Sequence, residues 1–396
     1  EQKLASFTEP QKAQAAGIYP YFRKIESEQD TEVIIDGKKV LMFGSNSYLG
    51  LTNHPEVKAA AREAVEKYGT GCAGSRFLNG TLDSHIALEK RLAEFAGKED
   101  AIIFSTGFQV NLGVISCLLG REDYIIWDSL NHASIIEGIR LSPAKSLRFK
   151  HNDMAALERR LQQCDPERIK LIVVDGVFSM EGDLCNLPEI CRLAEQYKAS
   201  VMVDEAHGFG VMGDHGRGVC NYFGLTDKVD LIMGTFSKSF AAIGGFIAGS
   251  KTTINYIRHH ARSYIFSASC TPAATAAVGK SLEIMLREPE RVEALQEKTR
   301  YCLEKFRKLG FEIGHTSTPI IPLFVRDNEK TFRVTAELFH EGVFVNPVVA
   351  PAVAPEDTLI RFSLMATHTY EQLDTAIEKI TAVFRRLDIP LHPQQD

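Results

Sequence analysis

The chain has 396 residues, enough for two or three domains or for one large α/β core with attachments. Its 44% apolar and 24% charged residues are those of a folded globular protein, which excludes a disordered or fibrous chain. With 45 Lys and Arg against 51 Asp and Glu the formal charge is −6, so no global field is available to hold a polyanion and no nucleic-acid partner is expected.

In chain order, the first fifty residues read as an arm carrying a β-hairpin, with Glu32–Ile35 and Lys39–Phe43 flanking a tight Asp36-Gly37 turn. A helix is predicted from Pro55 to about Tyr68, then an irregular glycine-rich stretch, Gly69 to Ser75. Asp83 is the expected N-cap of a helix carrying Leu88, Leu92 and Phe95, which Gly97 stops. From about residue 100 short apolar runs recur: Ala101–Phe104, Tyr124–Trp127, Leu171–Val174, Val201–Val203, Leu231–Met233 and Phe246–Ala248. Most are separated by helix-length amphipathic segments such as Met154–Leu161 and Leu187–Tyr197. That alternation predicts an α/β fold with a mainly parallel sheet covered on both faces. Beyond about residue 280 a charged helix (Pro289 to about Leu309) precedes a strand at Ile320–Val325 and a helix at Lys330–His340. Strands at Val343–Pro347 and Leu359–Leu364 and a helix at Tyr370–Leu387 follow. The expected organisation is an arm over 1–50, a large domain over 51–280 and a smaller C-terminal α+β domain over 281–396.

Ligands on parallel sheets gather at the carboxyl ends of strands, so the residues after each run matter most. Ser105-Thr106-Gly107-Phe108 opens a helix with Val110, Val114 and Leu118 on one face. The first amides of that helix form a potential anion cup, with Gly107 allowing close approach, although most such turns only cap a helix. Asp204 ends an apolar strand, where a carboxylate is costly unless paired. Lys238 stands between the Leu231–Met233 run and the glycine-containing segment Ala241 to Gly249; such surroundings can turn a lysine from a solvated charge into an amine nucleophile. Together, an amine, an acid and an anion cup are the parts needed to hold pyridoxal phosphate. His132 sits at an apparent helix start, as a cap or as a planar ring over a planar cofactor. Arg361, within an apolar strand, needs an anionic partner, either an internal carboxylate or a substrate's. The eight cysteines are scattered with no C-x-x-C pair, which predicts reduced, mostly buried thiols and no metal site. No apolar run approaches the ~18 residues of a membrane span. Glu1-Gln2-Lys3-Leu4-Ala5 also lacks the layout of a secretory signal, so the expected location is cytoplasmic.

The block Gly234-Thr235-Phe236-Ser237-Lys238-Ser239-Phe240 through Gly244-Gly245 resembles the lysine motif of the α-oxoamine synthases. These are fold-type I pyridoxal-phosphate enzymes that join an amino acid to an acyl-CoA and release CO₂. Supporting blocks are Asn46 to Leu51, Asn131 to Ile136, Phe178 to Asp183 and Val203 to Gly208. Ser237 directly before the lysine, the run Gly71 to Thr81, and Arg361 to His368 resemble the branch of the family that condenses L-serine with palmitoyl-CoA. The products there are 3-oxosphinganine, CoA and CO₂. The alternatives are glycine with acetyl-CoA, alanine with pimeloyl-CoA, or an aminotransferase or lyase on the same fold. Glu205 departs from the many relatives with a second Asp there.

The resemblance implies roles residue by residue. Lys238 would be the Schiff-base lysine and the base for the α-proton. Asp204 would pair with the pyridinium nitrogen, His132 would stack on the ring and His207 would bond its phenolic oxygen. Gly107 and Phe108, with Thr235 and Ser237, would hold the phosphate or line the pocket beside it, and Ser179 belongs to a block near the ring. Arg361 would receive the serine carboxylate, with Asn46 and Ser75 as weaker candidates. Members are homodimers with the active site at the interface, so Ser267 and Ala268 in Phe266 to Ser269 would reach the partner's cofactor. The acyl substrate and product add a peripheral contact with the inner membrane as an alternative to a purely cytoplasmic location.

Overall fold

The computed structural model describes residues 1–350 and 352–392; the last four positions of the expected C-terminal domain lie outside the described residues. Asp36 and Gly37 take positive φ (50° and 71°), the pair that a two-residue hairpin requires, and join β1 (Glu32–Ile35) to antiparallel β2 (Lys38–Met42). Seven strands follow: β3 (Asp100–Phe104), β4 (Tyr124–Asp128), β5 (Lys145–Phe149), β6 (Lys170–Asp175), β7 (Ser200–Asp204), β8 (Leu231–Thr235) and β9 (Gly245–Gly249). The rest of the chain adds β10 (Ile320–Phe324), β11 (Val343–Phe344), β12 (Asn346–Val348) and β13 (Leu359–Ser363).

The chain divides into two compact units, one made of residues 51–179 and 183–293 and the other of 1–50, 180–182 and 294–396. The division falls at 293/294, inside the long helix Glu290–Leu309.

In the larger unit the seven strands form one sheet in the order β3-β9-β8-β7-β6-β4-β5. Strands β4 to β8 run parallel, and β9 is antiparallel to both neighbours, β8 and β3. Ile102, Phe104, Leu171, Val173, Met202, Leu231 and Met233 join one core cluster with Val110 and Val114 of the helix Gly107–Leu118. Their alternating neighbours Ile103, Ile172, Val174, Val201, Val203 and Ile232 are buried as well. Side chains alternate across a strand, so both faces of the sheet are covered, as the apolar runs predict. Six strands therefore end at the same edge of the sheet, and β9 begins there, with Gly245 registered beside Phe104 and Thr235.

The smaller unit holds two three-stranded sheets, β1-β2-β11 and β10-β13-β12. The single strand expected over Val343–Pro347 is instead broken at Val345: Val343–Phe344 pairs with β2, and Asn346–Val348 pairs with β13. One segment thus serves two sheets, and Pro347 sits in an edge strand, where its missing N–H is tolerated. Phe43 stacks between Phe362 and His368, with ring centroids 4.4 and 4.3 Å away.

Helices Pro55–Tyr68 and Leu187–Tyr197 form over the expected residues. The helix Asp83–Ala96 differs at its cap: Leu82 is the N-cap and Asp83 the first helical residue. The Leu82 N–H is taken by His85 Nδ1 at 3.1 Å, which leaves the Asp83 carboxylate to accept from the Tyr68 hydroxyl at 2.5 Å and the Ser84 N–H at 2.8 Å. All eight cysteines are free thiols, six of them buried. No helix among the described residues is long and apolar enough to cross a membrane.

Candidate active site

Five strand ends and the turn into β9 enclose a cavity of about 350 Å³. Its lining includes Thr106, Gly107, Phe108, His132, Asp175, Asp204, His207, Thr235, Ser237 and Lys238. Eight of the residues picked from sequence for the cofactor thus meet in one place: Gly107, Phe108, His132, Asp204, His207, Thr235, Ser237 and Lys238.

Each wall has a local cause. Thr106 caps the helix Gly107–Leu118 by accepting the Gln109 N–H at 3.1 Å, so the first helical amides, at Gly107 and Phe108, open onto the cavity. A Cβ at Gly107 would lie 2.6 Å from Thr235 Oγ1, so only glycine lets the two strand ends close to this distance. Thr235 Oγ1 lies 3.0 Å from Ser237 Oγ, placing two hydroxyls beside that helix end. Asp204 is 2% exposed; its Oδ2 accepts from Asn111 Nδ2 (2.8 Å) and its Oδ1 from the Ala206 N–H (2.9 Å). His132 is the N-cap of the helix Ala133–Leu141, and its Nδ1 accepts the Ser134 N–H at 3.2 Å. It lines the cavity as well, so the capping and cavity readings of this residue hold together.

Asp175, missed in the sequence, ends β6 in register with Asp204 on β7. Its Oδ2 accepts the His132 N–H at 2.8 Å. Burial, with the charge of Asp204 beside it, raises the Asp175 carboxyl well above the usual range. His132 is held below the ordinary histidine value by burial, with Lys238 adding to the effect and Asp204 opposing it. Asp175 carries the same signal that singled out Asp204, an acid closing an apolar strand. Glu205, by contrast, turns away from the cavity. It is fully buried, accepting the Val219 and Cys220 N–H groups at 2.9 and 2.8 Å, and burial lifts it to about 6 against those bonds.

The remaining sequence-predicted residues lie elsewhere. Ser179 does not line the cavity. Ser75, Ser267 and Ala268 form a separate cluster: Ser75 bridges to Ala268, Ser105 Oγ donates to the Ala268 carbonyl, and Gln109 Nε2 donates to Ser267 Oγ at 3.1 Å. Arg361 and Asn46 belong to the smaller unit. There Arg361, 7% exposed, donates to Ser363 Oγ (2.5 Å) and the Tyr48 hydroxyl (3.2 Å), and Tyr48 donates to Asn46 Oδ1 (3.3 Å).

The cavity fits a flat, phosphorylated, cationic ring. Helix amides and two hydroxyls stand at one wall, a buried carboxylate at another, and a lysine amine opens onto the same space. A side chain at 107 would collide with Thr235, which stands at the same end of the cavity.

Residues 38–380 match the family described as aminotransferase class I and II. The chain is 63% identical over 389 residues to serine palmitoyltransferase of Bacteroides thetaiotaomicron, covering 98% of this chain and 99% of that protein. It is 45% identical to 8-amino-7-oxononanoate synthase of Thermosipho melanesiensis, over 94% and 95% of the two chains. Among solved structures, serine palmitoyltransferase from S. paucimobilis with a bound PLP–myriocin aldimine superposes with a TM-score of 0.94 at 36% identity, over 98% of each chain.

Proposed function

The chain belongs to the class I and II aminotransferase family and, within it, to the α-oxoamine synthases; on that premise we propose that it is a pyridoxal-phosphate enzyme condensing L-serine with palmitoyl-CoA. The products are 3-oxosphinganine, CoA and CO₂. The observation that carries this reading is one cavity shared by Lys238, Asp204 and the Gly107 helix end, in a chain 63% identical to a serine palmitoyltransferase.

Lys238 Nζ would hold the aldehyde carbon of pyridoxal phosphate, Asp204 its ring nitrogen, and His207 its phenolic oxygen. The Gly107 and Phe108 amides with the Thr235 and Ser237 hydroxyls would hold the phosphate. When bound, the cofactor supplies an electron sink for carbanion chemistry at the amino-acid α-carbon. Lys238 Nζ takes the α-proton of serine. Asp204, fixed at the β7 end by Asn111 and Ala206, would face the ring nitrogen and favour a proton on it. His132, which burial holds below the ordinary histidine value, would lie over the ring face. We assign Arg361 to the serine carboxylate, since a buried guanidinium forks well onto a planar anion; Asn46 and Ser75 are weaker candidates for the same role. We also assign a homodimer, in which Ser267 and Ala268 serve the partner's cofactor. Cytoplasmic CoA esters and a lipid product favour a cytoplasmic enzyme with peripheral contact at the inner membrane.

The test is an incubation of purified enzyme and pyridoxal phosphate with serine, glycine or alanine and a ladder of acyl-CoA lengths. Thiol release and product mass are then followed. CoA release with serine and a C16 thioester, giving the mass of 3-oxosphinganine, is expected. Keto-acid formation without CoA release would overturn the reading in favour of an aminotransferase, and a preference for glycine or alanine would move it to another branch.

A further inference from the structure

Four side chains of the larger unit form one continuous line of hydrogen bonds. Asn111, fully buried on the helix Gly107–Leu118, sends its Nδ2 to Asp204 Oδ2 at 2.8 Å and to Ser134 Oγ at 2.9 Å. Ser134 Oγ in turn lies 2.7 Å from His132 Nδ1.

The direction of each bond follows from donor chemistry. Asp204, as a carboxylate, only accepts, so the Asn111 group facing it is the NH₂. The reverse amide orientation would set a carbonyl oxygen against a carboxylate. Both N–H bonds of Asn111 are then used, one on Asp204 and one on Ser134. Its Oδ1 is left buried without a hydrogen-bond partner, the mark of a side chain placed for its two donors. Ser134 Oγ accepts from Asn111 and keeps its own hydrogen free for His132 Nδ1. That nitrogen also faces the Ser134 backbone N–H at 3.2 Å, which can only donate. Two donors on Nδ1 exclude a proton there.

We propose that Asn111 and Ser134 are positioning residues that lock His132 into the tautomer with its proton on Nε2. They would also tie the orientation of that ring to the carboxylate of Asp204. This rests on the reading of His132 and Asp204 as the two groups that address the cofactor. His132 then offers a fixed N–H donor at Nε2 and resists gaining a second proton, because protonation at Nδ1 would sacrifice both incoming bonds. The ionisable groups that share the cavity with His132 are Asp175 from β6, Asp204 and His207 from the end of β7, and Lys238 after β8. None of them changes when Ser134 is replaced, so a shift in His132 reports the hydrogen-bond line itself.

The experiment uses the full chain without added cofactor, labelled with ¹⁵N-histidine, with His132 assigned by the signal lost in His132→Asn. The expected result is an Nδ1 resonance in the unprotonated range and an Nε2 resonance in the protonated range. In Ser134→Ala the His132 titration midpoint should rise toward the ordinary histidine value and the two nitrogens should average between tautomers. Ser134→Thr, which keeps the hydroxyl, should restore the single tautomer, and Asn111→Ala should loosen it less than Ser134→Ala does. A proton on Nδ1 in the parent chain overturns the proposal, as does a Ser134→Ala variant with unchanged tautomer and midpoint. These signals do not depend on which amino acid or thioester the enzyme uses, so failure here is distinguishable from failure of the functional reading.

Discussion

Two regions of the larger unit bury charge in opposite ways. Arg76 and Glu89 form a closed pair, with Arg76 Nη1 and Nη2 donating to the two Glu89 oxygens at 2.7 and 3.1 Å and Nε to Thr81 at 3.1 Å. Glu89 also accepts the Ile103 N–H at 2.9 Å, fastening the helix Asp83–Ala96 to β3. At the ends of β6 and β7, by contrast, Asp175 and Asp204 stand side by side on the wall of a cavity, and Asp175 is driven toward its protonated form. The first arrangement is complete within the chain. The second sets two acids side by side on the wall of a cavity and drives one of them toward its neutral form, a perturbation that marks a binding site where the first arrangement marks none.

The comparison breaks most sharply under substitution. Lys238→Ala should lower condensation by more than ~10³-fold, measured as CoA release, with thermal stability close to that of the parent. Asp204→Asn should lower it by roughly 10²–10³-fold for the same reason and also leave the fold intact. If either substitution cost stability on the scale of a core residue, the cavity group would be structural after all. Glu89→Ala should do the reverse. It strands a buried guanidinium and should destabilise by about 3–5 kcal/mol in urea unfolding, with the folded fraction retaining its turnover.

A third, intermediate case sharpens the contrast. His151 lies between Asp128 (3.0 Å) and Asp183 (2.8 Å). Burial alone would lower it, but those two bonds and charges outweigh burial and raise it to about 10. A histidine raised on folding stabilises fully below its unfolded value of about 6.5 and loses that contribution as pH climbs toward 10. Unfolding free energy should therefore decline between about pH 6.5 and 10, by a few kcal/mol at most. His151→Gln should flatten that slope. The smallest effect belongs to the surface, where Arg287 pairs with Glu56 and Glu288 in the open; Arg287→Ala should leave the urea unfolding midpoint close to that of the parent.

What the sequence revealed follows the same division. Strands β3, β4 and β6 to β9 announce themselves because both of their faces are buried and their runs are apolar. Strand β5, Lys-Ser-Leu-Arg-Phe, passed unnoticed because it lies at the sheet edge with only Phe149 buried. The two-residue hairpin was legible in Asp36-Gly37, whereas the break at Val345 depends on two sheets distant in sequence. In the site, Lys238, Asp204 and Gly107 stood out as polar or glycine residues closing apolar strands. Asp175 carried the same mark and was passed over, although it stands three residues before the Phe178 to Asp183 block. Asn111 and Ser134 left only a faint trace, polar residues inside otherwise apolar helix faces, because their roles lie in hydrogen bonds between elements.

The central claim is that the ε-amine of residue 238 and the carboxylate of residue 204 address one pyridoxal phosphate within this cavity. Its most direct measurement is borohydride reduction of the cofactor-loaded chain, followed by proteolysis and mass spectrometry. The account predicts the pyridoxyl mass on the peptide containing Lys238, at about one per chain, and its loss in Lys238→Ala. A modification on another lysine, or none on the parent chain despite bound cofactor, would contradict it.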